Sequence, residues 1–412
     1  MKKLITTTLA LLGFIALHAQ VDSTERWFTG AEIHTAAGQI INNGALGIRD
    51  GKIIYVGEAA NAPVKGQATD VSGKRIYPGL IALNSILGLS EIEAVRSTND
   101  FAEVGENNAN IRSAIAFNTD SKVIPTVVSN GILMAQVCPR GGTISGQSSV
   151  MALQARNWEE AVYSGDNVIH INWPNFDGDE KKDKKAAEMV VQITNWLQQA
   201  KSYGQQKTTE TNLKYEALKD IFSQKKKVFV HANGAQTIVN AIQTLAAFGI
   251  TPTIVGGSES NLITPLLKQY RVAVIISRTQ RLPDNYDDSY EAAYALPYQL
   301  YKDSVPFAIS EINFWEQRNL PFEAGQAVAF GLPYDEALKS ITIYPAQLLG
   351  IDNTTGSLQI GKDATFIITA GDVLDMRSSI VEQAYMMGKK LDLSNPQEEL
   401  YRKYKEVVLD GE

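Results

Sequence analysis

Residues 77–89 read YPGLIALNSILGL, and the fold turns on this stretch. Such an apolar run suits a strand buried on both faces, the kind a parallel sheet needs. From Pro78 to about Ala346 the chain alternates strand-like and helix-like segments, which is the pattern of a parallel sheet covered by helices. The clearest part spans Lys227 to Ile276. Val228 to His231 is a β-rich run, and Gln236 to Phe248 carries Ile238, Ile242, Leu245 and Phe248 at helical spacing before Gly249. Thr253 to Val255 is the next strand, Asn261 to Tyr270 the next helix, and Val272 to Ile276 the strand after. In such units functional side chains sit at the carboxyl ends of strands, so His231, Gly256 and Ser277 are mouth positions from geometry alone.

The same reading extends outward. Gly131 to Val137 and Asn167 to Asn172 are strand-like, with His170 in the second, and Val305 to Ile309 is a strand ending at Ser310-Glu311. Residues 180–203 form a helix with Met189, Ile193, Trp196, Leu197 and Ala200 on one face. Its Lys181–Lys185 run is interleaved with acids and reads as a solvated helix start. Before Tyr77, residues 26–77 alternate short apolar runs with the turn signals Asn42-Asn43-Gly44, Arg49-Asp50-Gly51 and Ser72-Gly73. A second β-rich segment, Thr354 to Asp375, lies near the other end. Two distant β segments around one α/β region imply a discontinuous domain.

The chain has 412 residues, 44% apolar and 20% charged, the composition of a folded globular protein. A net charge of −7 and a pI near 5.4 argue against electrostatic affinity for nucleic acid or anionic lipid, leaving a small molecule or another protein as the partner. Lys2 and Lys3 precede an apolar run from Leu4 to Leu17, and Ala19 stands before Gln20, so residues 1–19 read as a secretory signal peptide and the mature protein as periplasmic or secreted. That run is shorter than the roughly 20 residues of a membrane span, and no other run is long enough. Cys138 is the single cysteine, which excludes an internal disulfide.

Three motifs in order carry a resemblance to a known family. They are GALGIRDGKIIYVGE (Gly44 to Glu58), PGLI (Pro78 to Ile81), and ALKSITIYPAQLLGI (Ala337 to Ile351) running into TTGSLQIGKDATFIITAGDVLD (Thr354 to Asp375). Together they resemble the amidohydrolase superfamily, most closely its imidazolonepropionase-related branch. The resemblance implies an α/β fold: a (β/α)8 TIM-type barrel over 78–345, a small β-sandwich from 22–77 and 346–395, and a C-terminal segment, 396–412, with a helix over Pro396 to Val408. It implies hydrolysis of non-peptide C–N bonds in amides or cyclic amides. In that chemistry one or two divalent metals lower the pKa of a bound water to about 7 and a carboxylate takes its proton.

The family's metal ligands are two histidines two residues apart on the first barrel strand, a lysine or glutamate on the fourth, a histidine on each of the fifth and sixth, and an aspartate on the eighth. Carried onto this chain, the first-strand positions are Asn84 and Ile86, with Ala82 where the preceding Asp would stand. His231 matches the fifth strand, Gly256-Gly257-Ser258-Glu259 stands where the sixth would read H-G-x-E, and Glu311 stands for the eighth-strand Asp. His170 lies near the fourth-strand ligand. Thr365 also departs from the family's Asp, but within the sandwich.

Four histidines are present; His18 lies in the signal segment and His34 in the sandwich, so only His170 and His231 can reach the barrel mouth. A binuclear site is therefore not expected. His170, His231 and Glu311 are the ligand types of one divalent metal such as zinc; the competing reading makes both histidines strand-end residues satisfied by polar neighbours. The resemblance assigns any surviving chemistry to Glu311 as base and His231 as polarising or ligating group, with Asn84, His170, Gly256, Glu259 and Arg281 in the pocket. Two functions stay open: a hydrolase with a reduced site, or an inactive ligand-binding relative, acting alone, as a homo-oligomer or paired with an active paralogue. Arg278, Arg281 and Arg318, with the acidic run Asp284 to Asp288, are loop residues that either hold a substrate carboxylate or pair with one another. The glycine-rich run Gly141 to Gln147 lacks the Lys-Ser/Thr of a phosphate loop and reads as a loop lining the mouth.

Overall fold

The computed structural model describes residues 25–409 except 39, 67, 206–209, 284, 285 and 287. The expected export segment lies outside the described residues, as does part of the acidic run. The chain starts with five strands: β1 (Arg26–His34), β2 (Ile40–Arg49), β3 (Lys52–Glu58), β4 (Ala68–Asp70) and β5 (Arg75–Pro78). The β2–β3 hairpin turns at Asp50 and Gly51, both at positive φ (51° and 76°), as the tight right-twisting turn requires. The Asn42-Asn43-Gly44 signal, by contrast, makes no chain reversal. Asn43 (φ 49°) is absorbed inside β2, which stays paired with β1 across two register shifts.

The barrel follows as β6 (Leu80–Ser85), β7 (Ile132–Val137), β8 (Ile144–Ala152), β9 (Val162–Asn172), β10 (Lys227–Ala232), β11 (Thr253–Gly256), β12 (Ala273–Ile276) and β13 (Phe307–Ile309), each hydrogen-bonded to the next in chain order. β6, β7 and the run β9 to β13 pair in parallel, but β8 is antiparallel to both neighbours. The cause is connection length: the links 138–143 and 153–161 are too short for the crossover that a parallel neighbour demands. β6 and β13 are joined by a piece of loop, since Ile81 N–H donates to Ile341 O (2.9 Å) and Ile309 N–H to Ser340 O (3.1 Å). Backbone bonds thus nearly close the ring.

Helices cover the outside. Ala235–Ala246 turns Ile238, Ile242 and Leu245 onto the strands, and Glu180–Gln205 does the same with Ile193, Leu197 and Ala200, all without exposed surface. Each of these leucines and isoleucines contributes about 1.5–3 kcal/mol on burial. After the barrel the chain returns through β14 (Phe366–Thr369), β15 (Val381–Met386) and β16 (Lys389–Lys390). β14 pairs with β5, so strands from before and after the barrel join in one hydrogen-bonded set of eight. An aromatic cluster fills its core: Phe366 stacks on Tyr385 (4.7 Å between centroids) and Phe28 meets both edge-on. The last helix, Pro396–Leu409, touches the body at Gln397, whose Oε1 accepts from Thr126 Oγ (2.7 Å).

Candidate functional site

A cavity of about 790 Å³ opens at the carboxyl ends of the barrel strands. Asn84 lines it from β6, Arg140 from the loop after β7, His231 from β10, Gly256 from β11 and Ser277 from just beyond β12. Glu259 forms part of the wall, its Oε2 accepting from Ala235 N–H (2.7 Å) at the start of the Ala235–Ala246 helix. Local backbone sets several of these positions. Asn84 adopts φ +52°, and the β6–β7 register shifts between Ala82 and Ser85, so the strand end bends into the mouth. Gly256 adopts φ +106°, where a Cβ would lie 2.3 Å from Asn233 Oδ1.

Behind the cavity wall runs a chain of neutral hydrogen bonds. Asn84 N–H donates to Gln136 Oε1 (3.2 Å), Gln136 Nε2 donates to Ser148 Oγ (2.9 Å), Ser148 Oγ lies 2.8 Å from His170 Nε2, and His170 Nδ1 lies 3.0 Å from His231 Nε2. The chain crosses from β7 through β8 and β9 to β10. Whichever way the protons run, both nitrogens of His170 are engaged, and His170 has no exposed surface. Burial, with His231 and then Arg140 adding, holds His170 well below the usual histidine range. Burial followed by the Arg140 charge lowers His231 to about 3. Both rings are neutral at pH 7.

Glu311 follows β13 with no exposed surface. Its Oε1 accepts from the N–H groups of Ile312 (2.8 Å) and Asn313 (3.1 Å); its Oε2 makes no hydrogen bond and lies 3.4 Å from Arg278 Nε. Burial pushes the carboxyl up to about 7, against the pull of those N–H groups and Arg278, with Glu323 adding to the rise. Glu311 is not among the cavity-lining residues; its neighbour Ile312 is.

Arg140 also lines the cavity and is not among the residues picked out from the sequence. Its Nη2 donates to Asn84 O (2.9 Å), its Nε is buried without a hydrogen-bond partner, and no described carboxylate is within ion-pair reach. Burial lowers its pKa, yet a guanidinium stays charged in a protein. The signal was faint: an arginine one residue past an apolar run, in Cys138-Pro139-Arg140-Gly141, looks like any loop cation.

These residues do not fit the metal that the family's chemistry requires. His170 has no nitrogen to spare, one nitrogen of His231 faces His170, Glu311 is turned onto backbone N–H groups and Arg278, and Asn84 and Gly256 stand at two ligand positions. A fixed cation, Arg140, stands in the same mouth. Among the described residues no group of three or more His, Cys, Asp and Glu could hold a metal ion.

Of the residues read from sequence, Asn84, His231, Gly256 and Glu259 meet at the cavity, while His170 and Glu311 lie behind it. Arg281 lies on the loop after β12, outside the cavity lining, with Nη1 donating to Leu282 O (3.3 Å). Arg278 turns to Glu311. The glycine-rich loop packs inward, where Asn172 Nδ2 donates to Gly142 O (2.7 Å) and Thr143 Oγ to Glu106 (2.8 Å). Cys138 is fully buried, and burial pushes its thiol up to about 12.

Comparison with known proteins adds four similarities. The sequence profile described as the amidohydrolase family matches residues 183–396. Among curated proteins, amidohydrolase tasK of Hapsidospora irregularis is 22% identical over 379 residues, covering 79% of this chain and 37% of that protein. An imidazolonepropionase of Sphingopyxis alaskensis is 42% identical over 65 residues, 15% of this chain and 16% of its own. The chain thus spans well under half the length of either relative. Among solved structures, an amidohydrolase from Thermotoga maritima superposes with a TM-score of 0.80 at 21% identity, over 89% of this chain and 99% of that one, a likeness of fold.

Proposed function

The chain belongs to the amidohydrolase family, and from that premise we propose that it is a ligand-binding member whose barrel mouth takes a small molecule without metal-assisted hydrolysis. The observation that carries this is the His170–His231 hydrogen bond, which ties up the two barrel histidines in one internal chain with Ser148 and Gln136. Catalytic zinc needs three protein ligands that converge on an open position. Two histidines bonded to each other and a carboxylate bonded to backbone do not converge. The cavity itself is intact, at about 790 Å³ within the ordinary range for small-molecule sites.

One observation favours a second reading. Glu311 is buried just after β13 with one carboxylate oxygen lacking a hydrogen bond, and burial pushes its carboxyl up to about 7, which suits general acid–base work, so the alternative is a weak hydrolase of non-peptide C–N bonds. Elemental analysis of the purified protein, with assays against linear and cyclic amides before and after added zinc, separates the two. The expected outcome is no stoichiometric metal and no turnover. One metal per chain, with hydrolysis lost in His231→Ala and Glu311→Gln, would overturn the binding-protein reading. The location belongs to the same proposal: Lys2, Lys3 and the apolar run to Leu17 support export, and amino-terminal sequencing of the protein from envelope and medium fractions tests it. A mature protein that still begins at Met1 rules it out.

A further inference from the structure

We infer that the barrel mouth recognises a carboxylate, with the Arg140 guanidinium as the group that holds it. The inference rests on the reading of this cavity as a ligand site, and it adds the ligand's charge class. Three observations on this chain carry it. Arg140 lines the cavity together with Asn84, His231 and Ser277. Of its donors, Nη2 reaches only a main-chain carbonyl, Asn84 O, and Nε is buried without a hydrogen-bond partner. A partly buried cation in that condition is electrostatically incomplete, and a planar carboxylate matches the donor fork of a guanidinium.

The surrounding charges leave that place open. Glu259 Oε2 is held by Ala235 N–H, and Asp177, at the outer wall, pairs with Lys182 (2.8 Å), so neither satisfies Arg140. His231 beside it is neutral and brings no competing charge. The rest of the wall mixes amides and hydroxyls, among them Asn175, Asn233 and Ser258, with the apolar Trp173, Phe176 and Val255, which suits a body with both polar and apolar parts attached to the carboxylate. Arg140 therefore places a fixed positive charge in the mouth, where the family would place a metal ion.

The test uses the full chain, treated with EDTA, with its arginine side chains labelled with ¹⁵N; the Arg140 Nε signal is assigned by its loss in Arg140→Gln. Acetate, succinate and benzoate are titrated against acetamide, succinamide and benzamide. The expected result is a saturable shift of the Arg140 signal with at least one acid and none with its amide, and an affinity about tenfold or more weaker in Arg140→Gln. Gln236→Glu, on the exposed rim of the same cavity, weakens the same acid severalfold and guards against misfolding at Arg140. No shift with any acid, equal shifts with acid and amide, or tighter binding of inorganic phosphate than of every carboxylate would each overturn the inference. Failure of the functional reading shows elsewhere, as amide turnover on adding zinc, and leaves this titration to be read by itself.

Discussion

Glu311 carries a carboxyl whose proton is held more tightly in the folded chain than in the unfolded one, and this sets the sign of its effect on stability. Its folded value is about 7 against an ordinary 4.5, so between those values the folded state binds the extra proton and stability falls as pH rises. The loss reaches about 3 kcal/mol above pH 7. Glu311→Gln removes it: urea unfolding should show the variant more stable than the parent by about 2–3 kcal/mol at pH 8 and equal to it near pH 4.5. Equal midpoints at both pH values would show that Glu311 is ionised without cost. The histidine pair works the other way, since both folded values are depressed: its stabilising share is full above pH 6.5 and is lost on acidification. Strand-end spacing made His231, Gly256 and Ser277 legible as mouth residues, and the family resemblance added Asn84. Spacing could not reveal Arg140, whose meaning depends on a carbonyl 56 residues away in sequence, nor the hydrogen bond that joins His170 to His231.

At the scale of elements, β11 ends in a conformation that only glycine adopts easily. Gly256 stands where the family pattern has a histidine, yet at φ +106° a Cβ would press on Asn233 Oδ1 (2.3 Å) and Ala232 O (3.1 Å). Gly256→His is therefore expected to lower stability by about 1–3 kcal/mol and to bring no zinc with it, as read by calorimetry and elemental analysis. A stable variant that gained one zinc per chain would show that the strand end can relax. The parallel βαβαβ run from β10 to β12 was legible because its helical stripe and short β-branched strands carry distinct periods. The antiparallel β8 was not, because its direction follows from the lengths of two loops and not from any residue within it. Asn42-Asn43-Gly44 misled for a related reason: a residue that permits positive φ serves a bulge as well as a turn.

Across the whole molecule, β14 links the terminal sheet to the barrel. Ile367, with no exposed surface, packs against Gly131 just before β7, where an added Cβ would stand 2.7 Å from its Cδ1, and Gly79 N–H donates to Thr365 O (3.1 Å). Ile367→Ala should cost about 2–5 kcal/mol and move the unfolding of sheet and barrel together. Fluorescence of Trp27 in the sheet and Trp173 in the barrel follows the two parts; separate midpoints would show that they unfold independently. The composite architecture was legible from the paired motifs at Gly44 to Glu58 and Thr354 to Asp375, whereas the single hydrogen-bonded set depends on β5 bonding to both β1 and β14. That shared strand also has a consequence in the time of synthesis. β5 leaves the ribosome with one edge bare, and the strand that covers it is made roughly 290 residues later, a wait of about 15–60 s at 5–20 residues per second. For that interval the nascent chain displays an unpaired edge beside the apolar run Leu80 to Leu83, and a holding chaperone would have its longest task there.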